Sequence, residues 1–355
     1  MAGCRLSGII KNILQNRWAL LGLGLLNNWL ITRGLLVRNK VAAKKIYEKK
    51  LWLSQRENCI SAIRFYSRAV SKSIVLPKIS RFINKYFYRL GFGSSINRYD
   101  NSFTIYSAKQ DKNLYTDFGP TERFINFGSG AFFHKRWINY DYPGQSTYYK
   151  NLQGLQGKDF HAIDLCEDRL RIPEDDMSVS LIYCSHTLEH LDKKSSERFL
   201  SECFRILRNN GILRLALPNT KNDFHLLHCL RSQADVNESI INSYTRDATS
   251  HILSDTREME LTEINQILQS SNFKSNSFYK KVISEYSQYG EFDGNNPERH
   301  INYWDFIELI NTTSKIGFSF TLPTYHGSSV SSPFTNLHVF DTTEPHIAFY
   351  ADIIK

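Results

Sequence analysis

The chain has 355 residues, 41% of them hydrophobic and 22% charged. That balance excludes a disordered, collagen-like or low-complexity protein and leaves room for one large domain or two modest ones. The net charge of +9 is unevenly held: residues 1–98 carry nineteen Lys and Arg against only Glu48 and Glu57, a local balance of +17, which leaves −8 for the rest.

The basic character therefore belongs to an N-terminal extension. From Trp18 to Val37, WALLGLGLLNNWLITRGLLV nearly reaches the apolar length of a membrane span, but Asn27, Asn28 and Arg33 interrupt it. No small-residue cleavage site follows, and Arg38, Lys40, Lys44 and Lys45 come instead, so a secretory signal is not expected. An organelle transit peptide is a minor alternative, since the segment is rich in arginine and lysine and poor in acids. The preferred reading is a set of basic amphipathic helices from about Leu6 to Phe87. Their positive faces would rest on an anionic membrane surface or pack against the main domain, and the pattern leaves both open. Nucleic acid is not an expected partner, because no binding motif accompanies the basic arm.

The six cysteines form no CxxC pair and keep no metal-ligand spacing with histidine. They read as free thiols in a reducing, cytoplasmic setting, with peripheral membrane contact an option, and no metal site is expected. The polar, turn-rich stretch from Gly91 to Pro120 reads as a linker or an irregular lead-in to the domain. The expected organisation is thus a helical extension over 1–98, a lead-in over 99–120, and a domain over 121–355 with an insertion near 220–300.

In the domain, RFINFGSG predicts a buried strand entering a tight turn at Gly128, Ser129 and Gly130, where missing side chains let backbone amides approach a ligand. RWINYDY predicts a second strand ending on Asp141, a carboxylate placed to accept hydrogen bonds from ribose hydroxyls. The third glycine and the longer spacing of the dinucleotide fingerprint are both absent, which argues against NAD. FHAIDL predicts a third strand ending on Asp164, before a charged loop that includes Glu174, Asp175 and Asp176. Val179, Leu181 and Ile182 predict a fourth strand, and Ser185 to Leu191 a turn into helix. Lys194 to Leu207 has the periodicity of an amphipathic helix, followed by a stop near Gly211, a fifth strand through Leu217 and a break at Pro218. Alternating strands and helices at this spacing imply a doubly wound α/β domain with a mostly parallel sheet and ligands at the carboxyl ends of its strands.

Taken in order, INFGSG, WINYDYPG, IDLCEDRLRIPEDDMSVSLIYCSHTLEHL and FLSECFRILRNNGILRLALPN resemble the class I S-adenosylmethionine-dependent methyltransferases, closest to the type 11-like branch with a shortened first helix. The resemblance covers Phe124 to about Asn219, and it resumes at the C-terminus with a final helix, a glycine-phenylalanine turn and a closing strand pair. It implies a seven-stranded Rossmann-like sheet and S-adenosyl-L-methionine as cofactor. Gly128, Ser129 and Gly130 would line the methionine portion, Asp141 would hold the ribose, Asp164 and Leu165 would flank the adenine, and Ser185 and His186 would lie beneath the sulfonium. Ser180 and Asn209–Asn210 depart from the family, which has aspartate and proline-glycine there.

Methyl transfer from a sulfonium is an in-line displacement, which asks the protein for alignment and sometimes for removal of a proton. His186, Glu189 and His190 are the candidates for that proton, and the alternative is that they cap the following turn. His134 and Lys135 read equally as solvated residues or substrate contacts. Residues 220–300 suggest an excursion over the site's mouth, with Arg299 and His300 as candidate substrate contacts. The implied reaction carries the methyl group to an oxygen or nitrogen of a small molecule or glycan. The rival readings are a degenerate methyltransferase fold that binds without turnover, and a scaffold dominated by the basic arm.

Overall fold

The structure, a computed structural model, describes residues 74–96, 103–144, 146–220, 236–250, 292–295, 297, 300–343 and 347–355. All of them belong to one compact unit that begins at Asn58. The interrupted apolar stretch Trp18–Val37, most of the expected N-terminal helices, Arg299, and the predicted helix over Leu261–Phe273 lie outside the described residues.

Seven strands form the central sheet: β3 (Arg123–Phe127), β4 (Trp137–Asp141), β5 (Phe160–Ala162), β6 (Val179–Ser185), β7 (Leu207–Pro218), β8 (Phe320–Thr324) and β9 (Ala348–Ile354). Their order is β5-β4-β3-β6-β7-β9-β8, and β9 alone runs antiparallel, against both β7 and β8. Apart from Arg123, β3 and β6 are buried on both faces, as central parallel strands covered by helices and loops are. The chain winds from β3 outward to β5, then returns to place β6 on the other side of β3. That reversal opens a crevice at the carboxyl ends of β3 and β6.

One face of the sheet carries the aliphatic side chains Ile125, Ile182, Leu213, Leu215 and Ile353. Against it packs α4 (Lys193–Ile206), which buries Phe199, Leu200, Cys203 and Ile206. Asp192 caps that helix by accepting from Ser195 N at 2.8 Å. α6 (Phe306–Ile316) packs beside it, capped by Asp305 and stopped by Gly317 at φ 116°. The other face is aromatic. Phe124, Trp137, Tyr183, Phe334 and Phe340 interlock there, with Phe334 and Phe340 rings 5.2 Å apart and nearly perpendicular.

Four sequence expectations need correction. The stretch from Gly91 to Pro120 is not irregular: β1 (Phe92–Ile96) and β2 (Phe103–Ser107) pair antiparallel, and α2 (Ala108–Asn113) follows. Strands of five residues holding several serines are too short and too polar to show a period. The third strand ends at Ala162, which leaves Asp164 in the loop beyond it. The predicted helix after Ser185 is a single 3-10 turn, Leu188–His190. α4 matches the helix expected over Lys194 to Leu207, but no turn separates it from the next strand near Gly211: β7 starts at once, and its register with β6 jumps from Val179↔Leu207 to Leu181↔Ile212, so that residues 208–211 bulge. Asn210 takes the left-handed conformation in that bulge (φ 60°), one that asparagine tolerates, where the family has glycine.

The remaining described helices are α1 (Val75–Tyr86), α3 (Thr147–Gln156) and α5 (Glu238–Ser250). Among the described residues, no helix is long and apolar enough to cross a membrane.

Candidate active site

No helix intervenes between β3 and β4, because residues 128–136 form only a loop. A glycine turn followed by a helix would normally be fixed by that helix's first turn, so another group must hold this loop in shape. Gln156, fully buried at the end of α3, does so: its Nε2 donates to the carbonyls of Gly130 (3.2 Å) and Phe132 (3.0 Å). Gly128 and Gly130 have φ of 63° and 49°, values that favour glycine. A Cβ at Gly128 would also overlap the Thr187 hydroxyl, so the turn and the start of the next loop meet with no space for a side chain.

Asp141, at the end of β4, ties its own strand to this turn. Its Oδ2 accepts from Gly130 N at 2.8 Å and its Oδ1 from Tyr142 N at 2.8 Å. Each carboxylate oxygen can accept more than one hydrogen bond, and the side chain lines the cleft. Asp164 Oδ1 accepts from Cys166 N at 2.8 Å, which shapes the loop after β5. Gly128, Gly130, Asp141, Asp164, Leu165 and His186 all line one open cleft, together with Tyr142, Tyr149 and Phe292. Ser129 and Ser185 are buried behind that wall. Ser129 Oγ lies 3.5 Å from both Asp141 Oδ2 and Gln156 Oε1, and the Ser185 carbonyl accepts from Thr187 Oγ1.

At the end of β6 the backbone is strained: His186 is left-handed, with φ 50°. Its Nδ1 lies 3.2 Å from Glu189 Oε1, close enough for an ion pair but without hydrogen-bond alignment, and its buried Nε2 has no partner among the described residues. Glu189 is 1% exposed. Burial alone would raise its pKa, but His186 above all, with His190 and His300, reverses that and holds the carboxyl at about 2. Glu189 is thus an ionised anchor and a poor proton acceptor at neutral pH, which narrows the three sequence candidates. His186 and His190 line the cleft, while Glu189 lies behind them.

His134 is neither solvated nor at the cleft. It is 7% exposed, and its Nε2 bonds Asp111 Oδ2 at 2.8 Å. Lys135 is exposed. Sequence reasoning missed Gln156, Thr187 and the aromatic rim, since a glutamine at a helix end and a threonine in a loop carry no motif.

The glycine cradle and the cleft-lining carboxylate of Asp141 fit a ligand with a backbone-sized approach at one end and a ribose at the other. Residues 137–215 match a family model described as a methyltransferase domain. Together with the sheet order, this supports a class I S-adenosylmethionine-dependent methyltransferase fold, one that takes S-adenosylmethionine as cofactor.

No curated protein matches the chain. Among solved structures, it is similar to a methyltransferase from Thermotoga maritima described as a possible histamine N-methyltransferase, at 14% identity over 78% of this chain and 98% of that one, with TM-score 0.31. It is also similar to S-adenosylmethionine-dependent methyltransferases from Mesorhizobium loti, at 10% identity over 69% of this chain and 96% of the other (TM-score 0.34), and from Archaeoglobus fulgidus, at 11% over 69% and 92% (TM-score 0.34).

Proposed function

We propose that this chain moves the methyl group of S-adenosylmethionine to an oxygen or nitrogen of a small molecule or glycan, with His186 accepting the proton. The observation that carries this reading is the pairing of a cleft-lining imidazole with a buried, ionised carboxylate at the end of β6. When bound, the cofactor supplies an electrophilic methyl on a positively charged sulfur. Gly128 and Gly130 allow close approach at the amino-acid end, Asp141 holds the ribose hydroxyls, and Leu165 offers an apolar face to the base. Glu189 orients His186 and stabilises the imidazolium that forms once the acceptor's proton arrives. Tyr142, Tyr149 and Phe292 on the rim support a ring-bearing acceptor such as a sugar or phenol, because aromatic faces pack on such rings.

Calorimetric titration of S-adenosylmethionine and S-adenosylhomocysteine into the full chain tests the site. Micromolar binding, worth about 8 kcal/mol, is expected, with loss in Asp141→Ala. His186→Gln should keep the cofactor affinity and lower kcat by about 10²- to 10⁴-fold on any acceptor found. Binding without turnover across a glycan and phenol panel would favour the degenerate-fold reading. No binding by folded protein would end the methyltransferase reading of this site.

We also propose that α1 lies on an anionic membrane surface. This helix turns its polar side inward: Ser80 and Asn84 are buried and both bond the Ser94 carbonyl, at 3.2 and 2.9 Å. Ile79, Phe82 and Tyr86 are left exposed beside Lys78 and Lys85. Lipid interfaces take aromatic and cationic side chains together, and the +17 balance of residues 1–98 adds the attraction to anionic headgroups. The full chain should co-sediment with phosphatidylserine-containing vesicles and less with phosphatidylcholine alone. Ile79→Glu with Phe82→Glu should release it, and unchanged sedimentation of that variant would refute the proposal for α1.

A further inference from the structure

The wall of the cleft at the end of β6 holds one more arrangement of chemistry-bearing side chains. Glu189 and His190 come from the 3-10 turn, and His300 arrives from a distant part of the chain. The backbone N–H groups of Ile301 and Asn302 both donate to the Glu189 carbonyl, at 2.9 and 3.1 Å, and this pins His300 beside the turn. One donor atom from each of Glu189, His190 and His300 lies within 4.8 Å of the others. The two imidazoles stand edge to face, with ring centroids 4.8 Å apart.

Glu189 is the unusual member. It is 1% exposed, yet its Oε2 has no hydrogen-bond partner among the described residues, and its Oε1 has only the misaligned His186 Nδ1 at 3.2 Å. A buried carboxyl group without an aligned hydrogen bond is costly, and a bound cation is one way to satisfy its oxygens.

We propose that Glu189, His190 and His300 bind a divalent first-row transition-metal ion, zinc by preference, on the acceptor side of the cleft. Two neutral imidazoles and one carboxylate form a zinc donor set that leaves a coordination position open, whereas magnesium and calcium favour oxygen donors. The carboxylate can serve both neighbours, with one oxygen toward His186 and the other toward the ion. His190 lines the cleft, so an ion held there would border the space open to an acceptor. An ion there would polarise an acceptor hydroxyl and lower its pKa, leaving the proton for His186. That use rests on the methyl-transfer reading, but the binding of the ion does not. No local motif marks the site, because His300 is remote from Glu189 and His190 in the chain.

The test is to strip the full chain with a chelator, dialyse it against zinc chloride and measure bound metal by mass spectrometry. One zinc per chain is expected. Glu189→Gln and His300→Ala should each weaken binding by about tenfold or more, since losing even a residue that merely orients a ligand costs about that much. His161→Ala, at an exposed position on β5, should leave it unchanged. Cobalt(II) in place of zinc should give a visible absorption band that both ligand variants lose. S-adenosylhomocysteine titration of the same variants shows whether they are folded. Zinc that fails to bind, or that binds the ligand variants as tightly as the parent chain, overturns the proposal. Zinc binding without S-adenosylhomocysteine binding would instead leave the metal site standing and remove the methyltransferase reading.

Discussion

Gly128 shows how little freedom a single residue has at this site. Its φ of 63° strains any other side chain, and a Cβ would collide with the Thr187 hydroxyl. Left-handed backbone alone costs about 1–2 kcal/mol for an L-residue, and the collision forces the 187 loop outward as well. Gly128→Ala should therefore weaken S-adenosylhomocysteine binding by at least about tenfold, because each 1.4 kcal/mol is a factor of ten. Pairing it with Thr187→Gly should restore part of that affinity, since the overlap is relieved while the backbone strain remains. Calorimetry on both variants checks this, and a Gly128→Ala that binds normally would show that the turn does not contact the cofactor. At the same scale, the glycines and Asp141 were legible from the sequence because strand ends followed by small residues or acids carry a pattern. Gln156, which holds the same turn through its side chain, was not, because its partners are carbonyls 24 and 26 residues away.

Asp111 plays the joining role among the elements. It sits in α2 and is 1% exposed, and three groups donate to or pair with its carboxylate: Tyr88 after α1, His134 in the loop after β3, and Asn336 near the C-terminus, at 2.7 Å. Burial would raise the Asp111 pKa, but the His134 contact and the other hydrogen bonds hold it below the usual carboxylate value. Ionised Asp111 therefore stabilises the fold fully above the unfolded-state pKa of about 3.9, and that contribution is lost as the pH falls through the lower folded value. Urea midpoints measured from pH 5 downward should fall in the parent chain. Asp111→Asn should start lower, by about 3–5 kcal/mol at pH 7, and show a shallower acid slope. Equal slopes would assign the acid sensitivity to other carboxylates. The hairpin and α2 that this network secures were read from the sequence as a linker, because a short amphipathic element shows no period while its stabilising contacts lie far along the chain.

The sheet of the whole molecule closes on a buried charge cluster. Arg214 in β7 is fully buried, and its register partner in β9 is Asp352, with Nη1 to Oδ1 at 3.0 Å. Asp341, also fully buried, pairs with the same guanidinium, and the carbonyls of Tyr325 and Ser328 accept from it at 3.1 and 2.9 Å. One side chain thus fixes β9, the β8–β9 connection and the segment that covers the aromatic face. Replacing one member strands the others, and breaking a buried pair costs about 3–5 kcal/mol. Arg214→Met should therefore unfold at markedly lower urea or not fold at all. Arg214→Met with Asp352→Leu and Asp341→Asn should recover a good part of the loss. A single variant as stable as the parent would show that the cluster does not anchor the C-terminal segment.

The sequence by itself determined the order of the central sheet's strands, the helix between β6 and β7, the glycine turn and the acid at the end of β4. Each of these is a local pattern, since buried parallel strands need continuous apolar runs and tight turns need glycine. Only the tertiary structure decided which polar residues are buried and what they meet. An arginine in a strand reads as solvent-facing until the antiparallel β9 sets Asp352 opposite it, and Glu189 reads as a helix cap until His300 is brought beside it. Such pairings join residues more than a hundred positions apart, and a charge far along the chain leaves no periodic mark in the sequence around its partner.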